Sequence, residues 1–318
     1  MPIDAKLQAI LDAGKALGKK PVELQTPAEA RADRAEMVAQ FVPMPEYAGV
    51  RVEDRAIPVC DGAGGREIAV WVYRPATGDG PWPVVVFFHG GGVVVCTLET
   101  HDPYCRALAT EAGVMVVSVD YRLAPEHKFP AGVEDGLAAT EWVRAHAGEL
   151  GAADSSRVFV AGDSAGGTMA AVVALLLRDK GVGGLAGQIL LYPVTAYYDP
   201  PTASYLEMAE GYGLTRKGMI WFWDQYLKDK SEAADFRAAP LRAASLRGLP
   251  RAFVVTAEYD VLRDEGQAYA KRLEEAGVSV THVFEPGMNH GFACSMNEFP
   301  FLAQAKELLR KVAGWVAG

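Results

Sequence analysis

A chain of 318 residues, half of them hydrophobic, has room for one large α/β domain with an added lobe or for two modest domains. Its net charge of −9, with no stripe of Lys and Arg, argues against nucleic acid or another polyanionic partner. No stretch approaches the ~18 uncharged apolar residues of a membrane span, so membrane insertion is not expected. The segment Met1 to Gly18 carries Asp4 and Lys6 and lacks the apolar core and small-residue cleavage site of a secretory signal. Cys60, Cys96, Cys105 and Cys294 show neither CxxC pairing nor interleaved histidines. Neither a zinc site nor a disulfide framework is therefore expected, and reduced thiols in a cytoplasm are the plain reading.

Residues 1–50 read as an amphipathic helical arm, with Ile3, Leu7, Ile10, Leu11 and Leu17 at helical spacing and a second charged segment, Pro27 to Phe41, after a proline break. Taken alone, the arm fits surface helices packed on the body and part of a lid over a site equally well. Arg51 to Pro75 alternates as a hairpin does, with Asp61-Gly62 and Gly64-Gly65 as turn chemistry. Pro83 to Phe88 is an apolar strand running into His89-Gly90-Gly91-Gly92. Three successive glycines let the backbone approach a ligand and turn its N–H groups toward a developing negative charge.

Asp102-Pro103 reads as the N-cap and first residue of a helix to about Ala112. Val114 to Arg122 is the next buried strand, and Ala131 to Ala147 a helix stopped by Gly148. Arg157 to Ala161 is a further buried strand that meets Gly162-x-Ser164-x-Gly166 and continues as a helix of small and apolar residues. A serine between glycines at a strand-to-helix turn is the pattern of a nucleophile elbow, which lifts the hydroxyl clear of the sheet at a helix N-terminus. Gly187 to Pro193 is again a strand. Strands alternating with helices of this length imply a mostly parallel central sheet with helices on both faces.

Between about Ala196 and Pro240 the alternation breaks and aromatics gather, among them Tyr197, Tyr205, Tyr212, Trp221 and Trp223, with Thr215 placed to cap a helix through Lys228. Such an insertion fits a cap that walls an apolar pocket. Arg251 to Asp260 resumes the sheet and puts Asp260 at a strand's C-terminal end, where the functional groups of open α/β sheets collect. Asp264, opening a helix, reads better as that helix's cap. Val278 to Pro286 is the last strand, His290 lies in the loop Gly287 to Phe292, and Pro300 to Ala317 is the closing helix. His290 has no core to fill, whereas His101, His127, His146 and His282 read as surface or structural residues.

The order Ser164, Asp260, His290 is that of triads on the α/β-hydrolase fold. In this reading His290 takes the proton of Ser164 as its oxygen attacks an acyl carbonyl, and Asp260 orients the imidazole. The N–H groups of Gly91, Gly92 and Ala165 hold the oxyanion, and water releases the acyl group. The chemistry calls for no metal or organic cofactor.

The motifs His89 to Gly92, Leu98 to Asp102, Asp120 to Glu126, Gly162 to Gly167, Leu262 to Gly266 and Gly287 to Phe292 resemble those of the hormone-sensitive-lipase-like esterases, the bacterial family IV carboxylesterases. The resemblance implies an α/β-hydrolase body over residues 51–195 and 241–318, and a cap built from residues 1–50 and the inserted helices of 196–240. It also implies a small-molecule substrate, an ester of short to medium acyl chain. It supports Asp260 over Asp264, gives His89 and Gly90 a part in shaping the glycine loop, and leaves a homodimer open. The sequence departs from the family at Val93-Val94-Val95-Cys96, where an aromatic, two aliphatics and a glycine are usual. Val261 and Asn289 also replace a proline and an aliphatic residue, and Asn289 is placed to alter the hydrogen bonding of His290. An amidase or lactonase on the same triad is an alternative. So is a non-catalytic small-molecule-binding homologue, like the plant hormone receptors that resemble this family but lack the histidine present here as His290.

Overall fold

The structure is a computed structural model that describes residues 2–41, 44–59, 65–294 and 302–318. The apolar β-branched runs form β1 (Arg51–Val59), β2 (Arg66–Arg74), β3 (Trp82–Phe88), β4 (Met115–Val119), β5 (Ala153–Asp163), β6 (Leu185–Leu191), β7 (Ala252–Tyr259) and β8 (Val280–Asn289). They make one sheet in the order β1-β2-β4-β3-β5-β6-β7-β8. β2 runs antiparallel to β1 and β4, and the strands from β4 to β8 are parallel. Every residue of β4 is buried, because helices cover both faces there. β1 and β2 form the expected hairpin; the turn residues Asp61, Gly62 and Gly64 lie outside the described residues.

The helices are α1 (Ala5–Ala16), α2 (Pro27–Ala39), α3 (Leu98–Ala112), α4 (Ala131–Ala145), α5 (Ala165–Asp179), α6 (Ala203–Glu207), α7 (Arg216–Tyr226), α8 (Arg263–Glu275) and α9 (Ala303–Ala317). On one face, Phe87, Phe159 and Phe253 pack with Leu108 of α3 and Leu309 and Val312 of α9. On the other, Val86, Val160 and Val254 pack with Ala139 of α4, Val173 of α5 and Leu273 of α8. Side chains of this kind contribute about 1.5–3 kcal/mol each when fully buried, so the two layers commit the chain to this sheet order. Among the described residues no helix is long and apolar enough to cross a membrane.

Three local expectations change. α3 starts at Leu98 rather than at Asp102, because Thr100 closes the first turn: its hydroxyl accepts from Thr97 N–H at 3.0 Å and donates to Thr97 O at 2.7 Å. Pro103 is then tolerated inside the helix, near its start, where its missing N–H leaves only one carbonyl without a helical partner. Asp102 instead receives Arg106 one turn on, at 2.8 Å. Asp264 does not cap its own helix; its carboxylate accepts the Ser204 N–H at 2.7 Å in the first turn of α6. β8 runs past Pro286 to Asn289, because an irregularity between Ala257 and Tyr259 restores pairing at Tyr259 and Asn289 while Gly287 passes at φ 76. His290 therefore sits directly at a strand's end.

Two buried carboxyl groups hold separate layers together. Asp135 of α4 is fully buried and receives the Arg122 guanidinium at 2.8 and 2.9 Å, the Arg122 N–H at 2.9 Å, and Arg66 of β2. Asp135→Ala leaves two arginines facing an empty acceptor site. Urea unfolding should show a loss of about 3–5 kcal/mol. Glu265 of α8 accepts the N–H groups of Thr195 and Ala196 at 2.7 and 3.1 Å, where the chain leaves β6 for α6. Burial pushes its carboxyl up to about 8 from an ordinary 4.5. Between those values the unfolded chain has lost a proton that the folded one keeps, so this group's contribution falls as pH rises. Glu265→Gln removes that dependence. Relative to wild type its stability should gain steadily from pH 5 to pH 8, and a pH-independent difference would show that Glu265 is ionised in the fold.

Candidate active site

The site is built where β5 turns into α5. Ser164 takes φ 54 and ψ −122, a left-handed conformation that a side chain tolerates only when its surroundings hold it there. Its N–H is held by Leu191 O at 2.8 Å. A β-carbon on Gly162 would strike Gly166, and one on Gly166 would strike the carbonyl of Phe88 at the end of β3. The glycines are therefore required by close backbone approach, which leaves Ser164 Oγ at the top of the sheet with α5 behind it.

β7 delivers Asp260 and β8 delivers His290 to the same carboxyl edge of the sheet. His290 Nε2 lies 2.9 Å from Ser164 Oγ, and His290 Nδ1 lies 2.8 Å from Asp260 Oδ2. The other Asp260 oxygen accepts Leu262 N–H at 2.9 Å, and its side chain is shut off from solvent. A buried carboxylate facing Nδ1 keeps the proton on that nitrogen, so Nε2 presents its lone pair to the serine hydroxyl. Tyr192 packs edge-on against the imidazole, with ring centroids 4.9 Å apart. Asn289 turns away from His290: its amide donates to Tyr212 O at 2.9 Å, tying β8 to the segment before α7. The expected influence on His290 hydrogen bonding is replaced by a tie between layers.

The glycine loop stands opposite. Gly91 and Gly92 have φ of 99 and 63, and Val94 and Val95 N–H groups close a turn onto Gly91 O at 3.0 and 2.9 Å. Gly91 and Gly92 line the same cleft as Ser164 and His290, while Ala165 opens α5 directly behind the serine. His89 is buried under this loop. Its Nδ1 donates to Gly90 O at 2.7 Å, its ring stacks on Tyr121 at 4.4 Å, and Tyr121 Oη donates to His89 O at 2.6 Å. Burial pushes its imidazole down to about 3, so it is neutral and braces the loop.

Asp163, given no role by the sequence pattern, joins the elbow to that loop. Its Oδ1 accepts Gly90 N–H at 2.7 Å and faces His101 Nε2 at 3.0 Å. Burial alone would raise its carboxyl, but the imidazole of His101, and then those of His290 and His89, outweigh this and hold it below the ordinary range. A carboxylate at the buried end of a strand was the available signal. His101 thus has a structural role, as expected, although its ring also borders the cleft.

The cleft over Ser164 has a volume of about 520 Å³. Val22, Met37 and Phe41 of the N-terminal arm and Met219 and Phe222 of α7 line it. Beyond Gly92 lies a narrow apolar recess of about 30 Å³, bounded by Met169, Val194, Trp223 and Tyr226. Phe222 borders both spaces, and its ring covers the face of Gly92 where a β-carbon would point.

Residues 85–294 match a family described by its alpha/beta hydrolase fold. The chain is 41% identical over 295 residues to the carboxylic ester hydrolase LipN of Mycobacterium tuberculosis, covering 91% of this chain and 77% of that protein. It is 45% identical over 260 residues to the carboxylesterase NlhH of the same organism, covering 80% of each. The crystal structure of a thermostable esterase from Pseudomonas putida superposes with a TM-score of 0.93 at 41% identity, over 99% of this chain and 97% of that one. Fold, site geometry and likeness over nearly the whole chain converge, and the protein belongs to the α/β-hydrolase family, among the carboxylesterases that resemble hormone-sensitive lipase, as a carboxylic ester hydrolase.

Proposed function

We propose that the protein hydrolyses esters of short to medium acyl chain through Ser164 as nucleophile, His290 as general base and acid, and Asp260 as the carboxylate that orients it. The observation that carries this reading is the continuous chain of hydrogen bonds from Ser164 Oγ through both nitrogens of His290 to Asp260, at 2.9 and 2.8 Å. Ser164 Oγ attacks the ester carbonyl as its proton passes to Nε2, and the imidazolium then protonates the leaving alcohol. Water, deprotonated by the same nitrogen, frees the acid and restores the serine. The N–H groups of Gly91, Gly92 and Ala165 stabilise the tetrahedral oxyanion, each donor being worth about 2.7–4 kcal/mol in such sites. Residues 1–50 and 196–240 act together as the cap. In support, Trp221 Nε1 of α7 donates to Gln25 O of the arm at 3.1 Å. Arg31 of α2 reaches Val94 O and Ala124 O at 2.8 and 2.7 Å. The buried thiols of Cys105 and Cys294 form no disulfide, which supports a reducing cytoplasm as the place of action.

The apolar recess takes the acyl chain, and Phe222 limits its length. Initial rates on p-nitrophenyl esters from acetyl to palmitoyl should peak at short chains, and Ser164→Ala should lower them by at least about 10⁴-fold with the fold intact. Turnover that survives in Ser164→Ala would remove the serine mechanism. Phe222→Ala joins the recess to the cleft. The ratio of octanoyl to acetyl kcat/KM should then rise by about tenfold, as expected for a few better-buried methylenes, and an unchanged ratio would place the acyl chain elsewhere.

A further inference from the structure

The fold brings together three side chains that are far apart in sequence. His101 comes from α3, Asp163 from the end of β5 and Cys294 from the loop after β8. A potential ligand atom on each lies within 4.8 Å of the other two. All three are buried, at 6% exposure, yet all line the cleft that holds Ser164 and His290, so an ion has the substrate's own route to them. Tetrahedral zinc with Zn–N and Zn–S bonds of about 2.1 and 2.3 Å sets its ligand atoms roughly 3.5 Å apart, which this cluster reaches by small side-chain shifts. Imidazole, thiolate and one carboxylate are donors suited to zinc.

The hydrogen bonds give the exchange its balance. Thr100 Oγ1 has one proton, and Thr97 O, a pure acceptor at 2.7 Å, receives it. His101 Nδ1 lies 2.8 Å from the same oxygen, which can accept an Nδ1–H. His101 Nε2, 3.0 Å from the Asp163 carboxylate, can donate to it. An entering divalent cation takes the place of the hydrogen on Nε2 and of the Cys294 thiol proton, with Nδ1 left carrying the ring's one hydrogen toward Thr100 Oγ1; the displaced protons leave through the cleft. The protons lost from the site offset charge that the cation brings in, which lessens the desolvation penalty of adding a net charge. The Nδ1–H bond to Thr100 survives as the outer bond that orients a metal-bound histidine.

We propose that His101, Asp163 and Cys294 form an inhibitory site for one thiophilic divalent cation, Zn²⁺ or Cd²⁺, beside the nucleophile. Occupation draws Asp163 away from the Gly90 N–H it holds at 2.7 Å and disturbs both the glycine loop and the neighbouring Ser164, so turnover falls.

The test has one readout independent of esterase activity. Cd²⁺ titrated into the metal-free protein should produce a thiolate-to-cadmium absorption band that saturates at one ion per chain, in wild type and in Ser164→Ala alike. The band should vanish in Cys294→Ser and persist in Cys96→Ser, since Cys96 lines the same cleft. Zn²⁺ should inhibit the wild type reversibly, with EDTA restoring the rate. The concentration for half-inhibition should rise about tenfold or more in Cys294→Ser, relative to that variant's own zinc-free rate. Should circular dichroism show Cys294→Ser misfolded, His101→Gln is read in its place with the same expected loss. A wild type without the band overturns the proposal. So does a band that survives the loss of Cys294, or zinc inhibition that the variant leaves unshifted, as binding to His290 alone would produce.

Discussion

The whole site depends on the near-contact of three backbone segments at the top of the sheet, where Gly162 and Gly166 of the elbow meet the Phe88 carbonyl of β3. No side chain fits between them, so the strand-to-helix turn is as tight as the chain allows and Ser164 is pressed into a left-handed conformation. Strain of this kind costs on the order of 1–3 kcal/mol and persists only where neighbours over-determine it. Here they do. The Ser164 N–H is bonded to β6, α5 is wholly buried at its start, and the strand beneath is packed on both faces.

The same crowding forces a carboxylate inside. Asp163 points away from the serine into the layer between the elbow and the glycine loop, where Gly90 N–H and His101 meet it. An unpaired buried charge there would cost several kcal/mol, whereas a paired one links two loops that must keep a constant separation. His89, one residue before Gly90, serves the same loop with the opposite electrostatics: it is kept neutral and stacked on Tyr121. One buried carboxylate and one neutral imidazole thus support the glycine loop from below.

Above the sheet edge, selectivity is shaped by segments that contribute little to the core. α2 is tied to the body by the fork of Arg31 on Glu126 at 2.8 and 2.7 Å and by its bonds to the Val94 and Ala124 carbonyls, so the arm is anchored to the segment that follows the glycine loop. α7 is tied to the arm through Trp221, and it lays Phe222 across Gly92. The valines at 93–95 bring no ring to the glycine loop, and Phe222 of α7 covers Gly92 instead.

Much of this was legible in the chain itself. Apolar runs of five to eight residues alternating with helical periods dictate a parallel α/β sheet, because only strands covered on both faces tolerate such continuous hydrophobicity. Glycine spacing around Ser164, the triple glycine after His89, and the positions of Asp260 and His290 at strand ends are local patterns set by backbone sterics, so they can be read without coordinates. Where a local pattern admitted two outcomes, tertiary contacts decided. Thr100 rather than Asp102 closes the first turn of α3, Asp264 serves a neighbouring helix, and the irregularity between β7 and β8 extends β8 to the edge of His290. Asn289 was placed beside His290 by sequence and across from Tyr212 by the fold. The meeting of His101, Asp163 and Cys294 leaves no trace in residue spacing, since it depends on how α3, β5 and the loop after β8 stack in space. Sequence determines what each segment must be, through the sterics and burial of its own residues; only packing determines which distant side chain becomes its partner.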